Sequence, residues 1–181
     1  MNNDSFFQAV RLDCLAQLQG RKGLNDYFSS VIFGRGFHTL LSYRLQRALI
    51  KIPGVGKIIA KFLRYVSCAF TGCDISYHAI LSPGIYMPHP TGIVIGDFVS
   101  VGCGTTILQQ VTLGTKTKNG KDYPHVGNNV YLGAGCKVIG LISINDNCII
   151  GANSVVLENI PENATAVGVP ARIIYANRNN H

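Results

Sequence analysis

The stretch IGDFVSVGCGTTILQQVTLG, residues 95–114, decides the fold. Its aliphatic residues Ile95, Val101, Ile107 and Leu113 stand six apart. After a gap the phase resumes at Val126, Leu132, Val138, Ile144, Ile150 and Val156. An earlier trace, Ile75, Leu81 and Met87, has the same period and then slips by two residues. A period of six fits neither a helix nor an alternating strand. It fits a three-sided coil in which each aliphatic residue points inward and the next residue turns the corner. The following residues are Gly96, Gly102, Gly114, Gly127, Gly133, Asn145 and Gly151. Gly, and less often Asn, takes the left-handed geometry that such corners call for. This phasing is the hexapeptide signature of a parallel β-helix.

A chain of 181 residues makes one domain, with room for a small appendage. With 47% hydrophobic and 14% charged residues it buries a substantial core. The net charge of +7 suits an anionic partner: nucleic acid, an acidic membrane surface or a phosphate-bearing ligand. The six cysteines include no CxxC pair, and no His lies at zinc-finger spacing, so no metal is expected. Cys136 and Cys148 share one coil phase and read as core filler. Met1 to Ser5 lacks a basic leader and no apolar run is long enough to span a bilayer, which predicts a cytoplasmic protein.

Residues 1–72 follow a different pattern. Phe6–Leu15, His38–Ile52 and Lys57–Phe70 have helical spacing, with breaks at Gly20, Gly23 and Pro53-Gly54. Ten Lys and Arg face three Asp here, Asp4, Asp13 and Asp26. The favoured reading is an α-helical cap over the end of the β-helix, covering its exposed edges. The other reading is a peripheral membrane patch around Lys51, Lys57, Lys61 and Arg64. Nucleic-acid binding is excluded by the lack of a known module and of interleaved basic and aromatic residues. The expected divisions are 1–72 helical, 73–175 β-helix and 176–181 tail.

Two interruptions of the repeat are where chemistry belongs, since loops on a rigid scaffold carry function. One is Tyr86-Met87-Pro88-His89-Pro90-Thr91-Gly92; the other is the polar loop 115–124. His89 is the leading catalytic candidate, held between two prolines that restrict its backbone. Asp74, fifteen residues earlier, is nearly one coil away and is expected to face it. An Asp on one ring nitrogen fixes the tautomer and leaves the other nitrogen as a base.

Asp74-Ile75, Pro88-His89-Pro90-Thr91-Gly92-Ile93-Val94-Ile95-Gly96, Ile107-Leu108-Gln109-Gln110-Val111-Thr112-Leu113-Gly114 and Gly151-Ala152-Asn153-Ser154-Val155-Val156-Leu157 resemble the serine acetyltransferase branch of the hexapeptide acyltransferases. Ala166-Val167-Gly168-Val169-Pro170-Ala171-Arg172 and Gly36-Phe37-His38 with Tyr43-Arg44 extend the resemblance over residues 25–175. It implies a mainly β fold: a left-handed parallel β-helix with an N-terminal helical region. It implies a homotrimer with sites between neighbouring subunits, and acetyl-CoA as donor. It implies that His89, paired with Asp74, deprotonates an acceptor hydroxyl that attacks the thioester. Its contacts to CoA, mostly backbone groups on the coil edge, fall on Thr115, Ala134 and Ala152.

The departures bear on the acceptor. Where the family has an Asp before the catalytic His, this chain has Pro88, and its second ammonium-binding Asp aligns with Arg21. The Arg-His pair for the serine carboxylate is replaced by Asp122 and Tyr123. Pro124-His125-Val126-Gly127 resembles the loop closure of related polysaccharide enzymes. The helical region is about half the family's usual length, which favours a trimer over a hexamer. These features predict an O-acetyltransferase acting on a sugar of a surface polysaccharide, with Pro88, Asp122, Tyr123 and His125 on the acceptor side. The alternatives are a serine O-acetyltransferase with a rebuilt pocket, or a non-catalytic β-helix scaffold.

Overall fold

The structure, a computed structural model, describes residues 3–118 and 120–174. The expected tail at 176–181 lies outside the described residues. Four helices come first: α1 (Asn3–Leu18), α2 (Leu24–Phe33), α3 (Arg35–Leu49) and α4 (Gly56–Thr71). A left-handed parallel β-helix follows. Its first sheet stacks β1 (Asp74–Ile75), β3 (Val94–Ile95), β6 (Thr112–Gly114), β9 (Lys137–Ile139) and β12 (Val155–Val156). Its second stacks β2 (Ile80–Leu81), β4 (Ser100–Val101), β7 (His125–Val126) and β10 (Ser143–Ile144). Its third stacks β5 (Thr106–Ile107), β8 (Tyr131–Leu132), β11 (Ile149–Ile150) and β13 (Thr165–Gly168), and ends on β14 (Ala171–Ile174), which runs antiparallel to β13.

Each step of six residues moves the chain to the next face, so the period seen in the sequence is the side length of the prism. Ile95, Ile107, Leu113, Leu132, Val138 and Ile150 are fully buried, and the other phased residues are nearly so. Burial of each such side chain contributes about 1.5–3 kcal/mol. Register varies at the two interruptions. β1 pairs Asp74 with Val94, so the first coil is two residues longer than eighteen. β6 pairs Thr112 with Lys137, so the loop adds seven and returns in phase.

The corner glycines act differently from the expectation. None of Gly96, Gly102, Gly114, Gly127, Gly133 and Gly151 has positive φ. Gly102, Gly127, Gly133 and Gly151 are small because neighbouring coils touch there: a Cβ on Gly102 would lie 2.5 Å from the Gly127 carbonyl carbon, and one on Gly127 2.3 Å from Asp146 Oδ1. The left-handed residue stands two positions later, at Phe98, Gly104, Asn129, Gly135, Asn147 and Asn153. Asn129, Asn147 and Asn163 form a column joined by side-chain hydrogen bonds of 3.5 and 3.3 Å. Beside it Asp146 accepts from the backbone and side-chain N–H of Asn128, which hold its carboxyl below the usual range. Cys136 and Cys148 are fully buried in the prism. Burial pushes the Cys136 thiol up to about 12, so it stays protonated as core filler.

The helices cap the first coil. Its upper edge would otherwise leave backbone groups without partners, and buried polar groups need them. Tyr43 OH donates to Ala79 O at 2.8 Å and accepts from Leu81 N at 3.0 Å. Arg44 donates to Leu81 O and Ser82 O at 2.6 and 2.9 Å. Asp13 accepts from Gly84 N at 2.8 Å and pairs with Arg44 at 2.9 Å. Both side chains of that pair are nearly inaccessible, at 1% and 3% exposure. The cap reading of the helical region thus holds. Helix α2 is an addition. Its aromatic and β-branched sequence gives it weak intrinsic propensity, and its boundaries are set by Gly23 and Gly34. No described helix is long and apolar enough to cross a membrane.

Candidate active site

His89 stands at the corner between the third and first sheets, in the two-residue extension of the first coil. Its chain is gripped from both sides. Gln17 of α1 donates to Ile85 O at 2.8 Å and accepts from Met87 N at 3.2 Å. The start of α3 presses on the same segment: a Cβ on Gly36 would stand 2.0 Å from Met87 O and 2.7 Å from Gln17 Oε1. Met87 and Pro90 are buried while His89 is exposed, so the backbone is anchored and the imidazole is free. Gly36→Ala is therefore expected to displace the His89 turn, destabilising the fold by about 1–3 kcal/mol and lowering activity. Urea unfolding checks this; an unchanged midpoint would refute the close contact.

The imidazole opens on a cavity of about 350 Å³ between the cap and the coil. Its other walls include Arg21, Asp26, Ser30, Arg35 and Pro88. Asp26 is in the first turn of α2 and Arg35 is the first residue of α3. Arg21 approaches Asp26 at 3.9 Å and donates its Nε to Leu18 O at 3.1 Å. Asp26, Ser30 and Arg35 are functional candidates that the sequence reading missed. Their signal was the paired glycines flanking α2, which mark a short helix folded against the His89 turn.

Within one chain, Asp74 stands apart from His89. Asp74 accepts from Arg64 Nε at 2.6 Å, which raises the affinity of the guanidinium for its proton. Among the described residues no hydrogen bond joins Asp74 to His89. Asp74 instead borders a second cavity with Lys61, Arg64, Tyr65 and Tyr77. Within the chain, the charged partner of Asp74 is thus Arg64 of α4, in a charge-assisted hydrogen bond.

Within one chain the loop residues also stand away from His89. Asp122 turns back to accept from Lys116 N at 3.1 Å. Tyr123 packs on the core and against Phe98, ring centroids 5.6 Å apart. His125 Nδ1 shares a 2.7 Å hydrogen bond with Ser100 Oγ on the second sheet. Of the four acceptor-side residues expected from sequence, only Pro88 borders the cavity.

The corner bearing His89 continues down the prism as a column. Gln110 N donates to Thr91 O at 3.0 Å, Gly135 N to Gln109 O at 2.8 Å, and Asn153 N to Ala134 O at 2.8 Å. Ala134 and Ala152 are one coil apart on it. Thr115 follows β6 and donates its hydroxyl to Thr117 O at 2.8 Å. Beside Gly114 there is open space, with nothing within 4 Å of a Cβ there. Small side chains along an open edge leave room for an extended ligand, so the donor expected from sequence fits.

Residues 123–158 match the family described as Bacterial transferase hexapeptide (six repeats). Serine acetyltransferase of Helicobacter pylori (strain J99) is 42% identical over 144 residues, 79% of this chain and 83% of that one. The chain belongs to the serine acetyltransferase family. Serine acetyltransferase of Buchnera aphidicola from Acyrthosiphon pisum is 34% identical over 176 residues, 96% of this chain. This family member spans only 64% of the length of that Buchnera protein. A solved serine acetyltransferase in complex with CoA superposes with a TM-score of 0.85 at 35% identity, over 95% of this chain and 71% of that one. The polysaccharide reading finds no support among these serine acetyltransferase relatives.

Proposed function

We propose that the chain is an acetyl-CoA-dependent O-acetyltransferase whose acceptor is the hydroxyl of serine. The observation that carries this is the exposed His89 ring on a cavity of about 350 Å³ whose walls hold both signs of charge. That cavity sits in a chain whose relatives at 34% and 42% identity are serine acetyltransferases. His89 takes the proton of the acceptor hydroxyl. The oxygen then attacks the thioester carbon, the C–S bond breaks, and the departing sulfur takes the proton from His89. A positioned base of this kind contributes about 10²–10⁴-fold.

Acetyl-CoA supplies the thioester. Ala134 and Ala152 on the corner column and Thr115 at the far end of β6 are the residues that would line its path, and the net charge of +7 suits its phosphates. A homotrimer belongs to the same proposal, since the chain's own Asp122, Tyr123 and His125 do not reach His89 and a neighbouring copy's loop would approach it from outside. A sugar acceptor has one observation in its favour: Pro88, next to the base, brings no charge. The relatives favour serine.

The test is CoA release from acetyl-CoA with L-serine, monosaccharides and nucleotide sugars as acceptors. L-Serine is expected to give the highest kcat/KM. A sugar that surpasses it would overturn the serine reading and leave the transferase standing.

A further inference from the structure

The serine-binding determinants of the family are missing at Pro88 and Arg21, yet the cavity at His89 is not without charge. Asp26 is its single carboxylate among the described lining residues. Its side chain is 39% exposed, so water screens it only in part. Arg35 also lines the cavity, and no ion pair engages it among the described residues. It opens α3, whose N-terminal backbone N–H groups add positive potential. Ser30 lines the cavity as well, and its Oγ, out of contact with solvent, has no hydrogen-bond partner. A buried hydroxyl without a partner is rare and points to a group that the site is built to receive. The lining of the cavity therefore brings together an anion, a hydroxyl, a cation and the His89 base.

We propose that this chain holds the acceptor amino acid through a relocated charge pair: Asp26 binds its ammonium and Arg35 its carboxylate. The inference rests on the serine reading above and assigns specificity within it. Arg21 sets the strength of the arrangement. Standing 3.9 Å from Asp26, it is a neighbouring cation that does not close a short ion pair. A zwitterion satisfies Asp26 and Arg35 together. A neutral polyol leaves both charges to be desolvated without an ionic partner, which disfavours it.

The experiment uses the full chain and two readouts. Calorimetry measures binding of L-serine, glycerate, which lacks the ammonium, and ethanolamine, which lacks the carboxylate. CoA release measures transfer to each. Asp26→Asn is expected to weaken L-serine about tenfold or more in Kd and KM, with kcat little changed and glycerate unaffected. Arg35→Gln is expected to weaken L-serine and glycerate and to spare ethanolamine. Asp26→Glu should recover part of the loss. Equal weakening of all three compounds by Asp26→Asn, or no weakening of L-serine, overturns the assignment. The serine reading fails separately, by an absence of transfer in a wild-type chain that still binds L-serine.

Discussion

His89→Ala is expected to lower CoA release about 10²–10⁴-fold, a barrier increase of roughly 3–5 kcal/mol. The fold should survive, because the ring itself is exposed and makes no hydrogen bond among the described residues, while Gln17 and Gly36 grip only the backbone around it. The loss should appear in kcat with acetyl-CoA binding intact, since the corner column does not depend on the imidazole. Asp74→Asn is expected to cost less. Its carboxylate answers Arg64, so its removal frees a cation on α4 without taking a hydrogen bond from the base. Steady-state kinetics of the two variants decide the matter. Wild-type rates in His89→Ala would end the assignment of the base.

The second large effect is on stability. Arg44→Met is expected to destabilise the chain by about 3–5 kcal/mol, read as a lower urea midpoint, because it leaves Asp13 buried at 1% exposure without its counter-charge. Replacing both members of a buried ion pair by apolar residues is often neutral. It should not be neutral here. Arg44 also serves Leu81 O and Ser82 O, and Asp13 serves Gly84 N. An Asp13→Leu, Arg44→Met chain would strand those backbone groups, each at about 1–3 kcal/mol. A double variant as stable as wild type would show that the edge finds other partners.

Much of the fold was legible because one physical rule repeats. Ile95, Val101, Ile107 and Leu113 each close one side of a prism, so their spacing is itself the geometry. The glycines after them were located correctly and explained wrongly: spacing reveals that a residue must be small, not whether the reason is φ or a neighbouring coil. Gly102 is small for the second reason. The candidate site is less legible than the fold. His89 announces itself by breaking the repeat between two prolines. Asp74 has the right separation, but separation along the chain says nothing of Arg64, which arrives from α4 and takes its carboxylate. Asp26, Ser30 and Arg35 carry no motif. They enter the cavity because α2 and α3 fold back over the first coil, an event set by tertiary contacts such as Gly36 on Met87.

The polar lid on the first coil has a consequence for the protein's life in a crowded solution. Parallel strands stacked in register share the geometry of a growing fibril tip, which recruits any strand that can continue the ladder. Tyr43, Arg44, Asp13 and Gln17 occupy the positions where the next rung would bind, and do so with side chains that offer no further ladder. They are chain terminators: the helices that shape the cavity at His89 also stop the solenoid from polymerising through its first turn.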